Sequence, residues 1–128
     1  MVDNLYNETV LDHHNNPRNR GVLEAADFSH EDAGSVCADE VRIDVRVAEG
    51  RVAAIAFSGR GCAVSQASAS ILTSFVAGMP LDEVEKLTNT ELLEATGVPT
   101  GSARVECALL SLHVLRIGLY GKDNAAEE

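Results

Sequence analysis

Residues 41–59 read "VRIDVRVAEGRVAAIAFSG", and their pattern decides the fold class. Over 41–47 apolar and charged residues alternate strictly. Val41, Ile43, Val45 and Val47 face one way, and Arg42, Asp44 and Arg46 face the other. A period of two marks a half-buried strand. "AEGR" (48–51) is a hairpin turn, with Gly50 available for a positive φ. "VAAIAFSG" returns as a second strand, from Val52 to about Ser58. Two strands this close, with no helix between them, form an antiparallel pair.

Helical periodicity lies on either side. Residues 3–14, "DNLYNETVLDHH", read as a helix with Leu5, Val10 and Leu11 on one side, and Pro17 stops it. Residues 22–36 are polar and aperiodic, a loop with room for one short strand. Residues 63–77 carry an apolar stripe of Val64, Ala67, Ile71, Leu72, Phe75 and Val76, assigned to the core, and Gly78 closes that helix. Pro80 opens "LDEVEKL". Thr88 or Asn89 caps "TELLEAT", which Gly97 ends. A loop at 98–103 leads to a last helix from Val105 or Cys107 to Leu119. Residues 119–128 read as a polar C-terminal tail. Strands cluster and helices cluster, so the chain is α+β rather than alternating α/β.

The chain has 128 residues, the size of one domain (1–128) around one core. With 4% aromatic residues and no Trp, that core is built from Val, Leu, Ile and Ala. Twenty acidic residues against ten basic ones leave a net charge of -10. This argues against nucleic acid, whose phosphates need a basic face, and against an anionic membrane surface. A basic protein partner fits it. No stretch approaches the roughly 18 apolar residues of a membrane span, and "MVDNLYNETV" lacks the pattern of a signal peptide. The expected location is cytoplasmic.

Three cysteines remain, Cys37, Cys62 and Cys107, 25 and then 45 residues apart. In a reducing compartment such thiols are more often ligands or reactive groups than disulfides. Cys37 precedes the first hairpin strand. Cys62 follows the second strand in "GRGC" and opens a helix. Cys107 lies in the first turn of the last helix. Near a helix N-terminus the dipole and unpaired N–H groups favour the thiolate, the form that attacks electrophiles and binds metals. Gly59 and Gly61 let the backbone pass close to whatever Cys62 holds. Asp39, in "CADEV", is a fourth candidate. Three sulfurs and an oxygen suit a tetrahedral zinc site, and equally an iron–sulfur cluster with one labile ligand. No C-x-x-C occurs, so spacing alone does not separate a shared site from three unrelated cysteines.

The motifs around these residues are more specific. "LYNETVLDHHNNPRNRGVL", "VCADEVRI", "GRGCAVSQASASILTSFVAG" and "ARVECALLSLHVL" resemble the signature segments of the NifU/IscU family of iron–sulfur cluster assembly scaffolds, over roughly residues 5–118. The resemblance implies a three-stranded antiparallel sheet with helices packed on it. It implies a site of Cys37, Asp39, Cys62 and Cys107. It implies that these receive sulfur from a cysteine desulfurase, hold a transient cluster such as [2Fe–2S], and pass it to apo iron–sulfur proteins. Asp39, a harder and weaker iron ligand than thiolate, would keep the cluster labile.

The chain departs from the pattern in places. Ala38 replaces the usual glycine after the first cysteine. Glu106 stands before the third cysteine, where IscU-type scaffolds carry His and SufU-type proteins Lys. The L-P-P-V-K chaperone-docking segment is replaced by "GVPTGSARVEC", and the long SufU insertion is absent. The alternative to a scaffold is a zinc-dependent sulfurtransferase of SufU type, with Cys107 as the sulfur acceptor. A structural zinc module is a third reading, disfavoured by the carboxylate. The expected assembly is a monomer or weak homo-oligomer. Glu106 reads as a solvated helix-start acid, His13 and His14 as capping or packing the first helix, and His113 as packing at the core edge. Arg104 reads equally as a surface residue or as a steering charge.

Overall fold

The computed structural model describes residues 7–33, 40–98, 101 and 105–120. The elements run α1 (Glu8–Asn15), β1 (Phe28–Ala33), β2 (Glu40–Ala48), β3 (Arg51–Arg60), α2 (Ala63–Val76), α3 (Leu81–Glu85), α4 (Asn89–Thr96) and α5 (Val105–Tyr120). The sheet is three-stranded and antiparallel, in the order β1-β2-β3. The stretch 22–36, read largely as loop, supplies β1. Its alternation is hidden because Ser29 and Glu31 alternate with His30 and Asp32, all polar.

The β2–β3 hairpin closes through Ala48 and Arg51. Both turn residues have positive φ, Glu49 at 56° and Gly50 at 73°. That is the pattern of a type I′ turn, whose twist matches that of paired strands. A register shift between Arg46 and Val47 leaves Ala53 as an extra residue.

One sheet face carries Val41, Ile43, Val45, Ile55 and Phe57, all buried against the helices. The other face departs from the simple alternation. Asp44, expected to face solvent, is fully buried. The chain between α1 and β1 crosses over it: the Leu23 N–H donates to Asp44 Oδ2 at 3.2 Å, Arg42 Nε donates to Oδ1 at 3.0 Å, and the Ser29 hydroxyl donates to Oδ1 as well. Burial alone would raise the Asp44 pKa, but the hydrogen bonds from Ser29, Arg42 and Leu23 outweigh it and hold the carboxyl below its ordinary value.

α2 is the central helix. Ten of its residues from Val64 to Thr73 are consecutively buried, five of them Ser, Thr or Gln, because α1, α4, α5 and the sheet surround it. The expected single stripe is therefore too narrow, and Phe75, assigned to the core, is exposed. α1 begins at Glu8 among the described residues, with Asn7 as N-cap. It buries Val10 but leaves Leu11 exposed, and Leu5 lies outside the described residues. Thr88 and Glu91 form the capping box of α4, and Gly97 ends it at φ 79°. α5 continues to Tyr120, so residues 119 and 120 are helix rather than tail. No helix among the described residues is long and apolar enough to cross a membrane.

Candidate functional site

β2 begins and β3 ends at one end of the sheet. Glu40 pairs with Arg60 and Val41 with Gly59, and Arg60 Nε lies 3.2 Å from Glu40 Oε1. Gly59 has φ 139°, and a Cβ there would overlap the Glu40 carbonyl oxygen. Only glycine lets the two strands close at this point. Glu40 is bonded to Asp39, and Arg60 is two residues before Cys62. The expected ligands Cys37 and Asp39, like Ala38 and Arg104, lie outside the described residues.

Gly61, at φ 149°, turns the chain from β3 into α2. Cys62 becomes the N-cap residue in an extended conformation, and its side chain makes no capping hydrogen bond. Ser65 instead donates to the Cys62 carbonyl at 3.1 Å. The first turn of α2 carries no acidic residue, so its positive end is not offset there. Cys62 is half-buried.

Cys107 is the third residue of α5 and is buried at 3% exposure. It belongs to a small apolar cluster with Val64, Leu93, Val98 and Ala108, and Cys62 packs against that same cluster. Two thiols 45 residues apart in sequence thus border one apolar cluster between α2, α4 and α5. Glu106, in the first turn of α5, is exposed. Among the described residues no group of three His, Cys, Asp or Glu side chains is gathered closely enough to hold a metal. The donor chemistry nevertheless suits a thiophilic cation or cluster: two sulfurs at the border of one apolar cluster.

His13 has a structural role. His13 Nδ1 lies 2.7 Å from Ser70 Oγ, and the Arg18 N–H donates to the same oxygen at 2.8 Å. Asn19 Nδ2 donates to Thr73 Oγ1, and Arg18 pairs with Asp12 at 2.9 Å. Residues 19–21 then pair with the outer edge of β3 through Phe57. The "DHHNNPRNR" segment and the "SASILT" segment are therefore two halves of one contact, the docking of α1 onto α2. Partial burial, reinforced by the Arg18 charge, lowers the His13 pKa. His14 is exposed. His113, expected at the core edge, is also exposed and reaches Asp32 at 3.8 Å.

The model of the NifU-like N terminal domain matches residues 5–125. The chain belongs to this family. It is 34% identical to iron sulfur cluster assembly protein 1, mitochondrial, of Schizosaccharomyces pombe, over 84% of this chain, and it spans only 57% of that protein's length. It is 34% identical to the iron-sulfur cluster assembly scaffold protein IscU 1 of Archaeoglobus fulgidus, over 88% of this chain and 72% of that one. It is 30% identical to the zinc-dependent sulfurtransferase SufU of Bacillus subtilis, over 92% and 91%. The crystal structure of a protein described as an iron–sulfur cluster assembly scaffold for the SUF system of Fervidobacterium islandicum AW-1 superposes with a TM-score of 0.77 at 24% identity, over 90% and 96% of the two chains. That likeness shows a shared fold.

Proposed function

We propose that this chain is an iron–sulfur cluster assembly scaffold. It receives sulfur from a cysteine desulfurase, holds a nascent cluster on Cys37, Asp39, Cys62 and Cys107, and releases it to apo iron–sulfur proteins. The observation that carries the reading is that Cys62 and Cys107, far apart in sequence, border one apolar cluster where β3 leads into α2. Asp39, bonded to the first residue of β2, is joined to that same end. Cluster and metal are cargo in this reading, and the chain's residues hold it and let it go. Thiolates of Cys62 and Cys107 give the soft donors, and Asp39 gives a hard, weak one that makes release easy.

Sulfur uptake has a simple balance. A cysteine thiolate of this chain attacks the outer sulfur of the desulfurase persulfide. A new S–S bond forms, the old one breaks, and the desulfurase cysteine leaves as thiolate. Of the two described thiols, Cys62 has solvent access. Cys107, the acceptor expected from sequence, is buried, so its persulfidation requires the packing of Val98 and Leu93 around it to open.

The second reading, a zinc-dependent sulfurtransferase, is favoured by the Bacillus relative, whose 140-position alignment covers nearly all of this shorter chain. The test is anaerobic reconstitution with iron and sulfide, followed by mixing with an apo-ferredoxin. A visible charge-transfer band that fades as the ferredoxin gains its own supports the scaffold. One tightly held zinc per chain, with no such band and with accelerated desulfurase turnover, assigns the chain to the sulfurtransferases. In either case Cys62→Ser and Cys107→Ser should each lower metal retention about tenfold or more. Wild-type stoichiometry and affinity in both variants would refute a shared site.

A further inference from the structure

The outer edge of β3 is paired at both ends and open between them. At one end the Phe57 N–H donates to the Asn19 carbonyl at 2.9 Å, and the Phe57 carbonyl accepts from the Gly21 N–H at 2.7 Å. At the other end the Val52 N–H donates to Met79 and its carbonyl accepts from Gly78, both at 2.9 Å. Between these, Ala54 and Ala56 turn their peptide groups to Arg46 and Asp44 of β2. By the alternation of an antiparallel ladder, those of Ile55 point outward, as those of Phe57 do. The Ile55 N–H and carbonyl have no hydrogen-bond partner among the described residues. The Ile55 side chain lies in the core, and its edge faces a groove of about 430 Å³ whose lining includes Val22, Ala53 and Ala77. A free N–H beside a free carbonyl on a strand edge is what an extended peptide pairs with.

The charges around the groove select the occupant. No residue lining it is acidic. Arg20 stands at the Phe57 end and donates to the Gly59 carbonyl at 3.3 Å. Arg51 stands at the Val52 end and donates to the Gly78 carbonyl at 3.2 Å. Arg46, across from Ala54, donates to the Glu24 carbonyl at 2.7 Å. All three are exposed, and none pairs with a carboxylate among the described residues. In a chain of twenty acidic and ten basic residues, they reverse the sign of charge locally. Because residues 19–21 and 78–79 already hold the two ends of the edge, a long strand cannot be added there. A chain end can enter, its last residues extended against Ile55 and its carboxylate drawn to the arginines. We infer that this groove docks the acidic C-terminal end of a partner polypeptide, held by a short β-bridge to Ile55 and by Arg20, Arg46 and Arg51.

The test uses a fluorescein-labelled peptide, Glu-Val-Glu-Val-Glu with a free C-terminus. Binding to the full chain is followed by polarisation, and hydrogen exchange of the Ile55 amide by NMR. Binding should be saturable, and exchange at Ile55 should slow as it saturates. Arg20→Gln and Arg51→Gln should each weaken binding roughly tenfold. Ala77→Trp, at an exposed position on the groove, should abolish it. No binding, equal binding of Lys-Val-Lys-Val-Lys, or binding that leaves Ile55 exchange unchanged overturns the inference. The exchange measurement needs no variant and stands if Ala77→Trp fails to fold. Self-association of the free chain that Ala77→Trp breaks would give the groove to a second copy and also overturns it.

Discussion

Gly59 has two demands on it, a backbone conformation that side chains avoid and a neighbouring carbonyl where a Cβ would fall. Either alone would be costly, and together they leave no room for relaxation except by parting β2 from β3 at Glu40 and Val41. Gly59→Ala should therefore cost about 3 kcal/mol or more, at the severe end of single substitutions. It should also weaken metal retention, since the parted strands are the two that lead to Asp39 and Cys62. Urea unfolding and a metal titration on the same preparation check both effects. Stability lost with metal retention intact would mean that strand closure does not position the site. The sequence showed that glycines flank Arg60, just ahead of Cys62. It did not show which of them was indispensable, because the close carbonyl belongs to a residue 19 positions earlier.

At the scale of elements, α1 is attached to α2 mainly by polar contacts. His13 and the Arg18 N–H share Ser70 Oγ, and Asn19 holds Thr73. His13 has its pKa lowered in the fold, so below its unfolded value of about 6.5 the unfolded chain binds more protons than the folded one. The stability this contact provides is complete above that value, and it is lost as pH falls from there through the folded value. His13→Gln should flatten the dependence of stability on pH between about 7 and 5, read from urea midpoints. A slope identical to wild type would place the titrating group elsewhere. Elements with a strong local signature were legible in the chain: the β2–β3 hairpin from its alternation, α4 from Thr88 and Gly97, and α2 from its start after Cys62. β1 and the burial of Asp44 were not, because both depend on partners distant in sequence. α2 shows the same limit, since a helix buried on nearly every side has no polar face for periodicity to detect.

For the whole molecule, twenty acidic residues face ten basic ones, and self-repulsion opposes the compact state. Raising NaCl from about 10 mM to about 150 mM shortens the Debye length from about 30 Å to about 8 Å. The melting temperature at pH 7 should rise by several degrees, and a fall would mean that attractive pairs such as Arg18–Asp12 and Arg60–Glu40 outweigh the net charge. The same excess of acid favours a basic face on a protein partner. Of the candidate site, Cys62 and Cys107 stood out in the sequence because thiols are rare residues, and Cys37 and Asp39 lie outside the described residues.

The β2–β3 hairpin gives the molecule a working end and an idle one. The Glu49–Gly50 turn is exposed and stands ten strand residues from Arg60, about 30 Å at 3.3 Å per residue. A tether or fluorophore attached at Glu49 would thus be remote from Cys62. The protein can be immobilised by that corner, leaving the opposite end of the sheet, where β3 leads to Cys62, unobstructed.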